Sequence, residues 1–499
     1  MKKGRKRRGN YSNSRRIHGR TDRFAQILAD PKARFKAGTA ATTEKNNLKT
    51  YIKKPYDNAA RIAATVREAS VTSGVFAKVI DYYQSILTYN YTIYPVLGNK
   101  TYQLDMSGMQ DAYTDIAYEL RKYNIKYYAP YILKEILIDG VVFLYEVQDS
   151  TGSIEYLKMP IDWCKISGQE NGVYRYMLDM SKVKSDVVGY LPEEIQTAYD
   201  SYQNKSGTDD TDKWYDKKWY FIENGVAFTF DINTLVNDGL AVSPMVGMII
   251  DNLSLQQAKD NVDVKDSLDT VRLIHSKIPL DKDGVPQIDL ETAKIFDNAI
   301  RTRMPEGVVT VTTPTALDNV PLTGSGNAGA YDTVGKSIEQ LFYDLGTSSS
   351  LFGGSTTSSN IVKESIKKDA YYLYANFLPL LENYYNSKIA LVKTSTDNEW
   401  SIKFIRQSNF TLDDDTKRLK EQLSFGGSRL DYMAACGFLP EEIVPKLEFE
   451  QRVMNIDSIM VVKPTSNTIS GKQAASDSQA GRPTESNPSD DTERINDSQ

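Results

Sequence analysis

Residues 244–275 read PMVGMIIDNLSLQQAKDNVDVKDSLDTVRLIH, with no proline after Pro244 and no glycine beyond Gly247. Pro244 suits the first turn of a helix, where its missing N–H would have no intrahelical partner anyway. The stretch predicts one long helix from Ser243-Pro244 to about His275, and at 1.5 Å per residue some 30 residues span roughly 45 Å. Asp260, Asp263, Asp266 and Asp269 recur every third residue along it, diluted by Lys259 and Lys265. Their spacing spreads acid over a broad face, and solvation alone accounts for most such runs.

Downstream, residues 278–322 hold a turn at Asp281-Lys282-Asp283-Gly284, a short helical stretch over 291–301 and the strand-like Val308-Val309-Thr310-Val311. This reads as a small inserted α/β unit. A helix over 331–345 follows, and then Gly346-Thr347-Ser348-Ser349-Ser350-Leu351-Phe352-Gly353-Gly354-Ser355-Thr356-Thr357-Ser358-Ser359-Asn360. Glycine and serine offer little side-chain packing and much backbone freedom, so such a loop between strong helices is either functional or disordered. Beyond it Ile366, Ala370, Leu373, Phe377, Leu381 and Tyr384 share one helical face, with Pro379 a kink. Trp400, Ile402 and Phe404 alternate as a strand, and Thr411-Leu412-Asp413-Asp414-Asp415 opens a helical region reaching about Met454. The three acids suit a first turn, where carboxylates accept free backbone N–H groups.

Upstream, residues 59–87 show helical spacing in Ile62, Val66 and Ala69, then in Val75, Val79, Tyr82 and Ile86, interrupted at Gly74. Residues 132–147, 153–166 and 219–230 alternate β-branched and aromatic residues around turn signals and read as strands. Residues 201–212 read as a polar surface loop. Tyrosine is abundant at 32 copies, twelve of them between Tyr82 and Tyr131. A ring that buries while its hydroxyl seeks a partner fits subunit contacts, and equally fits ordinary amphipathic helices. The fold class expected is α+β.

The whole chain has 499 residues, which suggests about three folding units. Charge is unevenly placed: residues 1–36 carry thirteen Lys or Arg against Asp22 and Asp30, a net +11 in a chain whose total is -5. The first twenty or so residues, with Lys2, Lys3, Arg5, Lys6, Arg7 and Arg8 leading, read as a mobile basic arm, either simply solvated or meeting nucleic acid or an acidic protein surface. Residues 463–499 lack any aromatic residue and read as a disordered tail. No apolar run reaches a membrane span and the amino terminus lacks a secretion signal's apolar stretch, so a soluble, cytosolically assembled protein is expected. Cys164 and Cys436 cannot form a disulfide framework, and His18 and His275 leave little for a zinc site.

Enzyme motifs tempt and fail. Gly324-Ser325-Gly326-Asn327-Ala328-Gly329 has dinucleotide-binding glycines, but Pro314 and Pro321 stand where a strand is needed, so a flexible hinge is expected there. Gly335-Lys336-Ser337 resembles the end of a phosphate loop, but five residues rather than four separate Gly329 from Gly335, and Val246 to Asp251, the apolar run with an acidic end, sits inside a helix. Asp281-Lys282-Asp283-Gly284 lacks the later ligands of a calcium loop. His275 has no Ser or Cys nucleophile motif nearby. No catalytic residue, metal or cofactor is expected.

The order of parts resembles the portal protein of tailed bacteriophages, the ring at the capsid vertex through which DNA is packaged and ejected. The resemblance is carried by the Ser243-Pro244 start of the long helix, the inserted unit up to Leu322, the helix ending Phe342-Tyr343-Asp344-Leu345-Gly346, the Leu351-Phe352-Gly353-Gly354 loop, the helix with Leu378-Pro379-Leu380-Leu381-Glu382, and a carboxyl end with Gly481-Arg482-Pro483. It implies an α+β portal-like subunit: arm 1–49, wing 50–243, stem helix 244–275, clip 276–327, second stem helix 328–345, tunnel loop 346–360, wing helix and strand 361–410, helical crown 411–460 and tail 461–499. It further implies a homo-oligomeric, dodecameric ring in the virion. The implied partners are double-stranded DNA bound without sequence preference, the terminase large subunit on the clip, a head–tail adaptor, and major capsid and scaffolding proteins, with no membrane.

A duplex carries one charge per roughly 1.7 Å, so a densely basic bore would grip it. Part of the Asp260, Asp263, Asp266 and Asp269 face is therefore expected to make the lumen or subunit boundary electronegative. Thr347, Ser348, Ser349, Ser350, Ser355, Thr356 and Asn360 would make sparse backbone contacts that read no sequence. The alternatives are another phage ring component, such as an adaptor or baseplate protein, and a non-enzymatic DNA-binding packaging factor that uses the arm.

Overall fold

The computed structural model describes residues 47–96, 107–231, 233–234, 239–270, 272–277, 279, 287–303, 308–313, 328–345, 359–396 and 398–455. The chain divides into two compact units, Met1–Glu441 and Glu442–Gln499. The arm with Lys2, Lys3, Arg5, Lys6, Arg7 and Arg8, the tail beyond 455, and the loop residues Thr347, Ser348, Ser349, Ser350, Ser355 and Thr356 lie outside the described residues.

The first unit opens with α1 (Ala59–Thr72) and α2 (Gly74–Ser85). Ile62, Val66 and Ala69 form a buried stripe at helical spacing on α1, and Phe76, Val79, Ile80 and Tyr83 form one on α2. The break falls at Ser73, whose side chain caps α2 by accepting from the Phe76 N–H. Then come β1 (Tyr91–Val96), α3 (Met109–Arg121) and α4 (Ile125–Asp139). Residues 132–139, expected as strand, are thus the end of α4. Ile132, Leu133, Ile136 and Leu137 recur at helical intervals and are all buried. Burial on nearly every side overrides the strand preference of the β-branched residues.

The sheet that follows consists of β2 (Val141–Gln148), β3 (Ile154–Met159), β4 (Cys164–Glu170), β5 (Val173–Asp179), β6 (Trp214–Tyr215), β7 (Trp219–Phe221) and β8 (Gly225–Thr229). Its order is β3-β2-β8-β5-β7-β6, with β4 also on β5, and its pairs are antiparallel. Alternation along β2 explains how both faces are filled. Val142 and Leu144 enter the larger core with α1, α2 and α4, while Val141, Phe143 and Tyr145 enter a second core. That second core is closed by α5 (Ser185–Val188) and α6 (Glu193–Asn204), so residues 201–204 are helix and the polar loop begins only after Asn204.

The long helix α7 spans Val246–Thr270 and ends before the expected His275. His275 instead belongs to strand β9 (Arg272–Lys277), which runs parallel to β10 (Val308–Thr313) with His275 opposite Val311. The β-branched run Val308-Val309-Thr310-Val311 favours a strand and gives residues 272–277 a partner outside the helix. Helix α8 (Leu290–Arg303) connects the two strands, a βαβ crossover of the kind parallel pairing requires. Helix α9 (Ala328–Leu345) follows, so Gly329 lies in its first turn rather than in a hinge, and Gly335-Lys336-Ser337 lies inside it rather than at its start.

After the loop come α10 (Ser359–Asn376) and α11 (Leu378–Ile389), parted by the single residue Phe377, so the interruption falls two residues before Pro379. Pro379 occupies the first turn of α11, where a missing N–H costs least. The face expected from sequence is buried throughout: Ile366, Ala370, Leu373, Phe377, Leu381 and Tyr384. Strand β11 (Glu399–Phe404) pairs antiparallel with β1, Phe404 opposite Tyr91 and Ile402 opposite Ile93. Helices α12 (Leu412–Ser424), α13 (Arg429–Ala435) and α14 (Pro440–Glu448) complete the described elements apart from a π-helical turn at Phe449–Val453. Asp415 does not cap α12. Its Oδ2 accepts from the Thr411 hydroxyl at 2.7 Å and the Ser408 N–H at 3.4 Å, tying the incoming loop to the helix.

Candidate functional site

The site is the helix pair α7 and α9 with the β9–α8–β10 unit that the chain forms between them. Helix α7 is set on the body at its first turn. The Ser243 hydroxyl donates to the Leu137 carbonyl at 2.6 Å and accepts from the Met245 N–H at 3.1 Å. Gly140, at φ +82, is the reason the chain can approach so closely, because a Cβ there would lie 2.3 Å from the Val242 carbonyl carbon. Met245, Met248, Ile249, Leu253 and Leu255 then carry α7 into the larger core.

Helix α9 packs on α7. Its Leu341 and Phe342 are buried, with Val334 and Ile338 partly buried on the same face, eight and four residues before Phe342 in the helical repeat. Lys259 and Asp260 stand exposed on α7, beside the still-buried Ala258 and Val262. Backbone geometry puts Asp263, Asp266 and Asp269 on the same helix, while their side chains lie outside the described residues. Asn360 is exposed in the first turn of α10. Asp260 and Asn360 are joined by no hydrogen bond or ion pair among the described residues.

Sequence reasoning missed the polar anchors behind this helix pair. Glu135 and Asp139, on α4 one turn apart and both buried, receive Arg67 from α1 and Lys158 from β3. The Arg67 guanidinium donates to Glu135 at 2.6 Å and to Asp139 at 2.8 Å. Burial pushes the Glu135 carboxyl up, but Lys158 and Arg67 outweigh it and hold Glu135 below its ordinary value of 4.5. Two carboxylates four apart in the mostly apolar Tyr131-Ile132-Leu133-Lys134-Glu135-Ile136-Leu137-Ile138-Asp139 run were the available signal. It is legible only once the run is read as helix.

A second anchor joins the sheet to α11. The Tyr156 and Tyr384 hydroxyls lie 2.7 Å apart, Tyr384 donates to Glu146 at 3.0 Å, and Lys388 donates to Glu146 at 2.7 Å. Burial first, then the neighbouring Tyr156 and Glu146, push the Tyr384 hydroxyl well above the usual tyrosine range. Tyr123, Phe228 and Tyr385 meet the Tyr384 ring edge-on. Of the tyrosines between Tyr82 and Tyr131, Tyr82, Tyr83, Tyr89, Tyr91 and Tyr123 are buried inside the subunit, whereas Tyr94, Tyr118 and Tyr127 are exposed.

No family model matches the chain. No curated protein matches it either. Among solved structures, a chain of the virion of a native gene transfer agent particle is similar at 13% identity and a TM-score of 0.40, over 74% of this chain and 90% of that one.

Other chemistry is sparse. Among the described residues no group of three or more His, Cys, Asp or Glu could hold a metal ion, and no helix is long and apolar enough to cross a membrane. Cys164 is buried, where burial raises its thiol well above the ordinary range, and Cys436 is exposed. The arrangement offers two packed helices rooted in the body, with acidic residues along α7 and a small α/β unit between the two helices in the chain.

Proposed function

We propose that this chain is the portal subunit of a tailed bacteriophage, a non-enzymatic ring component that passes double-stranded DNA into and out of the capsid. One observation carries the reading. Within residues 271–327, between α7 and α9, the described residues form a two-stranded parallel sheet with one helix, a unit of about sixty residues or fewer, a size at which a core is marginal. Parallel strands are ordinarily covered on both faces and stand in larger sheets. On α8, Ile295 is 66% and Phe296 57% exposed. A neighbouring copy that covers these side chains would complete the unit, and repetition of that contact around an axis closes a ring.

In this reading α7 and α9 are the stem, residues 276–327 the clip that terminase and then the head–tail adaptor engage, and residues 346–358, up to the start of α10, the loop at the bore. The acid of α7, from Asp260 onward, keeps the wall from gripping a polyanion. Scaffolding and capsid proteins would meet the outer body and place the ring in the virion at a vertex. Negative-stain images of the purified protein test the reading. Hollow rings with an axial hole are expected, whereas monomers that bind DNA in a salt-dependent way would replace it with a DNA-binding factor.

A further inference from the structure

The buried stripe of α7 runs through Met245, Met248, Ile249, Asn252, Leu253 and Leu255, and Asn252 is its one polar member. Asn252 is 1% exposed. Its Oδ1 accepts from the Ser73 hydroxyl at 2.7 Å, and its Nδ2 has no hydrogen-bond partner. Ser73 is the residue at the break between α1 and α2, and its oxygen also accepts from the Phe76 N–H. A buried amide with one half unpaired costs stability, and leucine, of the same branched shape though larger, would remove that cost while leaving the Ser73 hydroxyl to find another acceptor. Met245 and Met248, at the start of the stripe, are unbranched, adaptable side chains that specify the seating of α7 less sharply than branched ones. A lone asparagine in an apolar helix seam can fix register at the expense of stability.

We propose that Ser73 and Asn252 form a register lock, setting the rotation and axial position of α7 on the α1–α2 junction. Ser243 fixes where the helix starts; Asn252, about 13 Å further along at 1.5 Å per residue, fixes which face it turns to the body. Together the two attachments define one orientation for α7 and for α9 packed on it. The lock belongs to the single subunit and operates in a monomer or a ring alike.

Spin labels at Val71→Cys on α1 and Asp260→Cys on α7, both exposed positions, report that orientation in a Cys436→Ser background. The labelled chain is diluted in unlabelled protein so that only distances within one subunit are read. The parent should give one narrow distance distribution. Asn252→Leu should keep or raise the urea midpoint while the distribution broadens at least twofold or splits. Ser73→Ala should lower the midpoint, and adding Asn252→Leu to it should restore the midpoint but leave the distribution broad. Asn252→Ala, which leaves a cavity, is judged by the same width. A single narrow distribution in Asn252→Leu and in the double variant would overturn the lock, whatever their midpoints.

Discussion

Glu135 and Asp139 are taken out of water with Arg67 and Lys158 as their counter-charges, and removal of one partner from such a group leaves charge buried without compensation. Lys158→Met is expected to cost about 3 kcal/mol, a figure typical of a broken buried ion pair, read as a lower urea midpoint with an unchanged slope. The same group gives a pH dependence. Because the folded state holds Glu135 below 4.5, its ionised form contributes stability above the unfolded chain's carboxyl range, and that contribution is lost as pH falls through 4.5 toward the folded value. Unfolding midpoints measured from pH 7 to well below pH 4.5 should fall in the parent, and Glu135→Gln should flatten that acid limb. An equal acid slope in the two proteins would mean that other carboxylates govern it. Phe377, fully buried between α10 and α11, is a purely apolar counterpart. Phe377→Ala should cost about 3–5 kcal/mol, the range for deleting a core aromatic ring.

At the scale of elements, the helices with an uninterrupted 3.6-residue stripe were legible in the sequence. Residues 59–72 and 359–389 bury the side chains that their spacing marks, because a stripe of this kind has one way to leave water. What failed were decisions between local preference and distant partners. Residues 132–139 are rich in isoleucine and leucine and turn helical because the core surrounds them. Residues 272–277 leave the helix because β10, some thirty-five positions away, offers a strand to pair with. Neither partner is visible in a local window. The polar anchors were illegible for the same reason, since Arg67, Glu135, Asp139 and Lys158 come from three elements. Two predictions belong to this scale. On the portal reading, Asp263→Lys together with Asp266→Lys should slow DNA packaging, and packaging at the parent rate would remove the electrostatic role proposed for α7. Deletion within residues 347–358 should leave ring assembly intact but prevent retention of full-length DNA, and normal filled heads from that variant would exclude the loop from the mechanism.

For the whole molecule, the portal reading assigns contacts between copies to one part of the chain. The body has two cores on the two faces of one sheet, while Tyr118, Tyr127, Tyr371 and Phe425 stay exposed on it. On the portal reading the β9–α8–β10 unit needs a neighbour, and it is where copies should meet. Ile295→Asp with Phe296→Asp should therefore leave the far-ultraviolet spectrum and the urea midpoint of the body unchanged while the sedimenting species shifts from ring to monomer. The measurement that bears most directly on the portal assignment is an electron cryomicroscopy reconstruction of the purified full-length chain. A closed ring is predicted, with α8 of each subunit against its neighbour and residues 346–358 at the axial opening. A particle without an axial hole, or one that carries residues 346–358 on its outer rim, would contradict it.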